Sequence, residues 1–217
     1  VGAENIAKVA KAFYLGQKTG INLPGEASGT LPSPEWKVEN IGENWYPGDT
    51  ILYGIGQGFF TITPLQMITL YNTIANRGIF VKPKLLINEE IVKKEILLDI
   101  PDAYWDLVIQ GLEEVTTVQG SGANAGTAAA SFKGFPITVA GKTGTAQVGS
   151  GQPHAWFVGF APSRQPMYSV VVLVEHGESG GLFAAPIARK IFDYMYQNGF
   201  FKDSQSNQKS GTSKNSN

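Results

Sequence analysis

Val139 to Gln147 reads VAGKTGTAQ. A lysine, two threonines and two glycines follow a short run that opens on β-branched valine. Three readings compete: a loop that cradles phosphate, an ordinary hairpin, and one edge of an active site. The phosphate loop needs the spacing G-x-x-x-x-G-K and must lead from a strand into a helix N-terminus. The glycine upstream of Gly141 is Gly134, which is too far away, and Thr145 to Val148 continues as strand before turning. The hairpin reading leaves Lys142 and both threonines facing water. Lys-Thr-Gly alone does not separate it from an active-site strand, so the rest of the chain must.

Composition narrows the classes. The 217 residues are 42% apolar and 16% charged, enough to bury a sizeable core and too apolar for a disordered chain. Seventeen basic and eighteen acidic residues are spread along the chain and leave a net charge of −1, which gives no nucleic-acid footprint. The absence of cysteine excludes disulfides, thiol catalysis and thiolate metal sites. His154 and His176 are the two histidines, and no HExxH pattern occurs, so no metal is expected. The longest apolar run, Val170 to Val174, is far shorter than the roughly 20 residues of a membrane span. No signal peptide opens the chain, which starts at Val1 without Met and is expected to be a piece of something longer.

Periodicity predicts a helix over residues 3–15 with Ile6, Val9, Ala10 and Phe13 on one face, stopped by Gly16. Residues 16–50 are rich in Gly, Pro, Ser and Asn and read as a long loop region. Thr63 as N-cap, Pro64 at the first helical position and Gly78 after the last turn bracket a helix over about 64–77. A strand is expected near 79–87. Pro101 opens a helix carrying Trp105, Val108, Ile109, Leu112 and Val115, and VQGSGANAG after it reads as a loop. The last third is β-rich, and its short connections predict an antiparallel meander. It ends in the helix APIARKIFDYMYQ, with Ile187, Ile191 and Met195 on one side. Residues 203–217 hold no apolar side chain and are expected to be a disordered tail, the rest forming one domain over 1–202.

Lys142-Thr143-Gly144, followed by Thr145, Ala146 and Gln147, matches the third signature of the penicillin-binding serine transpeptidases. The likeness extends to KTGINLPGE, GTLPSPEWK, GDTILYGIGQGFFTITPLQM, IANRG, HAWFVGFAP and VLVEHGESGG…AAPIAR, in that order. From residue 1 to about 197 the chain resembles the class B, elongation-type members of that family, the penicillin-binding protein 2 group. The resemblance implies an α+β fold of the serine β-lactamase and transpeptidase type, an antiparallel sheet packed by helices, of which this chain is the C-terminal part. It implies that Lys142, Thr143 and Gly144 belong to the catalytic centre. Lys142 would supply a fixed positive charge, and Thr143 and Thr145 would bind the substrate's terminal carboxylate. Gly144 would admit the substrate backbone, and the Thr145 N–H would be one oxyanion donor. Gln147, Trp156 and Gln57 would border the substrate.

The family's nucleophile and base lie in a Ser-x-x-Lys turn, followed by Ser-x-Asn or Ser-x-Asp. Neither occurs between Val1 and Lys142. Ser206 with Lys209 and Ser213 with Asn215 match literally, but they follow Lys-Thr-Gly in a tail expected to hold no rotamer. The nucleophile is therefore expected upstream of this chain. GIGQGFF around Gln57 lacks the βαβ context of a dinucleotide fingerprint. His154 reads either as a polar strand start or as a border of the cleft, and His176 as a structural turn residue. Trp156 and Phe157 point to opposite faces of their strand, one into the core and one toward a groove. Glu113 and Glu114 read as a solvated pair with no acid–base role.

The resemblance implies a peptidoglycan D,D-transpeptidase that acts through an acyl-enzyme and needs no cofactor. Its ligands would be stem peptides ending in D-Ala-D-Ala, and β-lactams. A glycan polymerase and cell-shape proteins would be its partners, and the whole protein would be held to the cytoplasmic membrane with this domain on the periplasmic side. A β-lactamase or D,D-carboxypeptidase on the same fold is the enzymatic alternative. A non-catalytic sensor or scaffold is the alternative from another class.

Overall fold

The computed structural model describes residues 1–202. The expected tail at 203–217, with its Ser206 and Ser213 matches, lies outside the described residues. The chain divides into two compact units, Val1–Asp106 with Ala146–Ser150, and Leu107–Thr145 with the residues from Gly151 onward.

The first unit holds α1 (Ala3–Ala12), α2 (Pro34–Ile41), α3 (Pro47–Gly54), α4 (Pro64–Ala75) and a hairpin of β1 (Ile79–Val81) with β2 (Lys93–Glu95). α4 has the expected signals: Thr63 Oγ1 accepts from Gln66 N, and Gln66 Oε1 accepts from Thr63 N. Gln66 is buried and spends its amide on the carbonyls of Gln17 (2.8 Å) and Ser28 (2.6 Å), so the helix start organises the preceding segment. Phe13, Ile96 and Trp105 form this unit's small core with Leu70, Ile74, Leu98 and Ile100.

Two expectations fail here. The supposed loop at 16–50 contains α2 and begins α3. Neither has enough apolar periodicity to be seen, but each has a start signal. Ser33 Oγ accepts from Trp36 N with Pro34 in the first turn, and Gly42 ends α2 in the left-handed region at φ 79°. In α3, Pro47 fills the first turn and Asp49 Oδ2 accepts from Tyr46 N. The two helices are joined by the buried Lys37, whose Nζ lies 2.8 Å from Asp49 Oδ2 and 4.7 Å from the Tyr46 ring centroid. That hydrogen bond raises the Lys37 pKa and lowers that of Asp49. The strand expected to reach 87 stops at Val81, where Pro83 soon removes a ladder donor.

α5 (Asp102–Thr117) begins the path into the second unit, which adds α6 (Ala129–Phe132), β3 (Ala140–Ala146), β4 (His154–Ala161), β5 (Tyr168–Val174) and α7 (Ala185–Gln197). The sheet order is β3-β4-β5, and β4 pairs antiparallel with β5 in the register Phe157↔Val172. The sequential strand order is that of the expected meander. Phe157 is fully buried and stacks on Phe132 at 5.4 Å, within a core that also takes Val139, Val172, Ala184, Ala188 and Phe192. The α+β class expected from the sequence is the one observed.

The face of α7 differs from the expectation. Ala185, Ala188 and Phe192 are buried, whereas Ile187 and Ile191 are 42% and 38% exposed and only Met195 packs at the core's edge. Small residues let the helix backbone approach the sheet, and that close approach selects the alanine face over the isoleucine face. In α5, similarly, Trp105 and Ile109 are buried but Val108 turns outward.

Candidate active site

The strand carrying Lys142 is held before it begins. Thr116 Oγ1, on α5, donates to the Val139 carbonyl at 2.6 Å, and Ser163 N donates to the Thr138 carbonyl at 2.9 Å. Ser163 Oγ in turn donates to Glu113 Oε1 at 2.6 Å. Arg164 closes a two-pronged pair on both Glu113 oxygens at 2.8 Å. Glu113 is therefore not part of a solvated pair: planar fork-to-carboxylate geometry uses it to fix the β4–β5 connection to α5. Glu114 is exposed, as expected.

Along β3 the side chains alternate. Gly141, Thr143 and Thr145 share one face, and Lys142 and Gly144 the other. Gly141 faces the core, where an added Cβ would come within 2.6 Å of Phe157 Cζ. Lys142 is exposed, and its Nζ donates to the Thr143 carbonyl at 2.9 Å, which uses one of its three donors. An added Cβ on Gly144 would lie 3.2 Å from Trp156 Cβ, so glycine here lets β3 lie close beside β4. Of the two aromatic residues on β4, Phe157 is the one in the core, and the half-buried Trp156 flanks Gly144.

Two further elements meet β3 that sequence reasoning did not single out. The hydroxyls of Thr127 and Thr143 lie 2.6 Å apart. Gly180, in a wide helical turn over Gly180–Ala184, packs backbone to backbone: an added Cβ would be 2.4 Å from the carbonyl oxygens of both Gly144 and Trp156. Its N–H lies 3.5 Å from Thr145 Oγ1, and a Cβ on Gly181 would be 2.5 Å from the Thr127 carbonyl. The adjacent glycines in GESGG were the available signal, whereas Thr127 stood in a segment without periodicity.

The structure thus brings together Lys142, Thr143, Gly144, Thr145 and Trp156. Gln147 follows the end of β3 and is exposed. Gln57 belongs to the first unit, half-buried just past α3, with its backbone N–H on the Leu52 carbonyl at 2.9 Å. His154 and His176 pair with each other. The His176 backbone N–H donates to His154 Nδ1 at 3.0 Å, and His176 Nδ1 lies 3.0 Å from the Gln152 carbonyl. Both close the open end of the β4–β5 ladder, and His176 takes φ 53° to do so. Among the described residues, no group of three or more His, Asp and Glu could hold a metal ion.

A strand with a lysine, two hydroxyls on one face and the Gly180 backbone packed over it can grip an anionic chain end. Comparison with known proteins gives this arrangement a context. The profile described as "Penicillin binding protein transpeptidase domain" matches residues 1–193. The peptidoglycan D,D-transpeptidase MrdA of Salmonella typhimurium (strain SL1344) is 34% identical over 90% of this chain and 35% of its own length. The penicillin-binding protein PBP2 of Helicobacter pylori, solved in complex with MreC, superposes with a TM-score of 0.83 at 34% identity, over 92% of this chain and 37% of that one. PBP2 of Pseudomonas aeruginosa, solved in complex with WCK 5153, gives 0.76 at 37% identity, over 89% and 44%. The chain spans about a third of the length of the curated relatives it matches. It belongs to the penicillin-binding protein transpeptidase family.

Proposed function

We propose that this chain is the C-terminal part of a peptidoglycan D,D-transpeptidase domain, and that the whole protein cross-links stem peptides through a serine acyl-enzyme. The observation that carries the reading is Lys142-Thr143-Gly144-Thr145 on an anchored edge strand, within a chain whose first 193 residues match the transpeptidase profile. A donor stem peptide ending in D-Ala-D-Ala presents a carboxylate one residue beyond the scissile amide. The Thr143 and Thr145 hydroxyls share a face from which both can donate to that carboxylate, and Lys142 adds positive charge close by. The nucleophilic serine, supplied from sequence upstream of Val1, attacks the amide carbonyl while the Thr145 N–H takes up developing negative charge. The terminal D-Ala leaves as the free amino acid. The amine of a second stem peptide then attacks the acyl-enzyme, forming the cross-link and releasing the serine.

The reading places the whole protein at the cytoplasmic membrane with this domain on its outer side. Among the described residues, no helix is long and apolar enough to cross a membrane, so that anchor would be contributed by other sequence. The proposed partners are a glycan polymerase and cell-shape proteins. A structural relative at 31% identity supports this: it was solved within a peptidoglycan synthase complex that coordinates polymerization and crosslinking. β-Lactams would acylate the same serine.

The test is product analysis with the full-length protein on polymerised, stem-peptide-bearing glycan. Cross-linked dimers that vanish on β-lactam treatment are expected. Release of D-Ala without dimers would make it a carboxypeptidase, and hydrolysis of the penicillin itself a β-lactamase.

A further inference from the structure

Thr127 is not one of the family signature residues on β3, yet its hydroxyl lies 2.6 Å from that of Thr143. Its side chain is exposed, so water could satisfy it. The contact follows instead from how firmly its backbone is held. On one side, Gly126 is wedged against the end of α5, where an added Cβ would lie 2.2 Å from the Glu114 carbonyl and 2.5 Å from that of Val115. Gly126 N and Ala128 N each donate at 2.9 Å, to the carbonyls of Val118 and Val115. On the other side, Gly181 abuts the Thr127 carbonyl. Ala128 and Ala129, both buried, anchor the residues that follow.

Proton counting then fixes the direction of this hydrogen bond once a ligand arrives. Each threonine hydroxyl carries one proton, and an ionised carboxylate only accepts. If Thr143 donates to the carboxylate, its proton is spent, and the bond between the two threonines must use the proton of Thr127. Resting on the transpeptidase reading above, we propose that Thr127 is a positioning residue: its hydroxyl donates to Thr143 Oγ1 and so turns the Thr143 proton toward the substrate's terminal carboxylate. The chain Thr127 O–H, Thr143 O–H, carboxylate is polarised in one direction, which strengthens each bond. It also spares the ligand the cost of reorienting a free rotor.

The test uses the full-length protein, with second-order acylation rates measured for a penicillin bearing its free carboxylate and for the methyl ester of the same penicillin. T127V keeps shape and removes the hydroxyl, T127A controls for the added methyl, and T127S restores the hydroxyl. T127V and T127A are expected to slow acylation by the acid about tenfold, with the ester rate nearly unchanged and T127S close to wild type. T127V/T143V is expected to be no slower than T143V alone, because Thr127 acts only through Thr143. Equal losses on acid and ester, no loss on either, or additive losses in the double variant would each overturn the proposal. If the unmutated protein is acylated by neither penicillin, the transpeptidase reading itself fails, and that result appears before any variant is compared.

Discussion

The Thr116 hydroxyl donates to the carbonyl of Val139 at 2.6 Å, and both groups are buried. Three residues later in the chain stands Lys142. α5 therefore holds the strand at the point where it turns toward the site. Thr116→Val retains the shape and leaves a buried carbonyl without its donor, which costs about 1–3 kcal/mol. Thermal denaturation should show the midpoint falling by roughly 2–4 °C for each kcal/mol. An unchanged midpoint would mean that water replaces the bond and that α5 does not hold the strand.

Gly180 is the tightest backbone contact above the strand. Gly180→Ala must push a methyl into the carbonyl oxygens of Gly144 and Trp156, and neither is a flexible side-chain end. The substitution should destabilise the protein by about 2 kcal/mol or more and slow acylation by penicillin at the same time. Loss of stability with full acylation would separate this turn from the site.

The sequence and the structure agree where a residue's local chemistry suffices, and part where packing partners decide. Thr63, Pro64 and Gln66 start α4 through their own side chains and ring, so the helix was legible. The Lys-Thr-Gly strand was legible for the same reason: alternation and composition act within a few residues. α2 and α3 were missed because their start signals were read as loop composition. The α7 face was misread because closeness of approach, set by Ala185 and Ala188, outweighed isoleucine hydrophobicity. Glu113 was misread because its partners, Ser163 and Arg164, are 50 and 51 residues away. Thr127 was missed because its meaning depends on a hydroxyl 16 residues further on.

Glu26 gives the first unit a pH dependence. Burial alone would raise its pKa, but hydrogen bonds from the Thr19 hydroxyl, Thr19 N–H and Gly20 N–H, with Lys18 nearby, hold the carboxyl below the usual 4.5. A depressed folded-state pKa favours the ionised form, so its contribution is complete above about pH 4.5 and lost as pH falls through the lower folded value. For a partly solvated group this amounts to about 1 kcal/mol. Glu26→Gln should lower stability at pH 7 and flatten the acid limb of a stability-against-pH curve. A parallel downward shift at every pH would contradict the assignment.

Lys142 is exposed and turned onto the Thr143 carbonyl, so it is free of the core and its loss should spare the fold. In the full-length protein, Lys142→Ala should slow β-lactam acylation at least about tenfold, which corresponds to roughly 1.4 kcal/mol of transition-state stabilisation, with the thermal midpoint retained. An unchanged rate would return Lys142 to the role of a solvated hairpin residue.

On the proposed reading, this chain contributes the carboxylate-binding wall of a serine transpeptidase whose nucleophile lies in sequence upstream of Val1. No Ser-x-x-Lys occurs between Val1 and Lys142, and a serine without an adjacent base is a weak nucleophile near neutral pH. Intact-mass spectrometry after incubation with a penicillin tests this directly, comparing the 217-residue chain with the protein extended upstream through a Ser-x-x-Lys motif. One covalent penicillin adduct is expected on the extended protein and none on the shorter chain. Stoichiometric labelling of the shorter chain, or no labelling of the extended one, would contradict that reading.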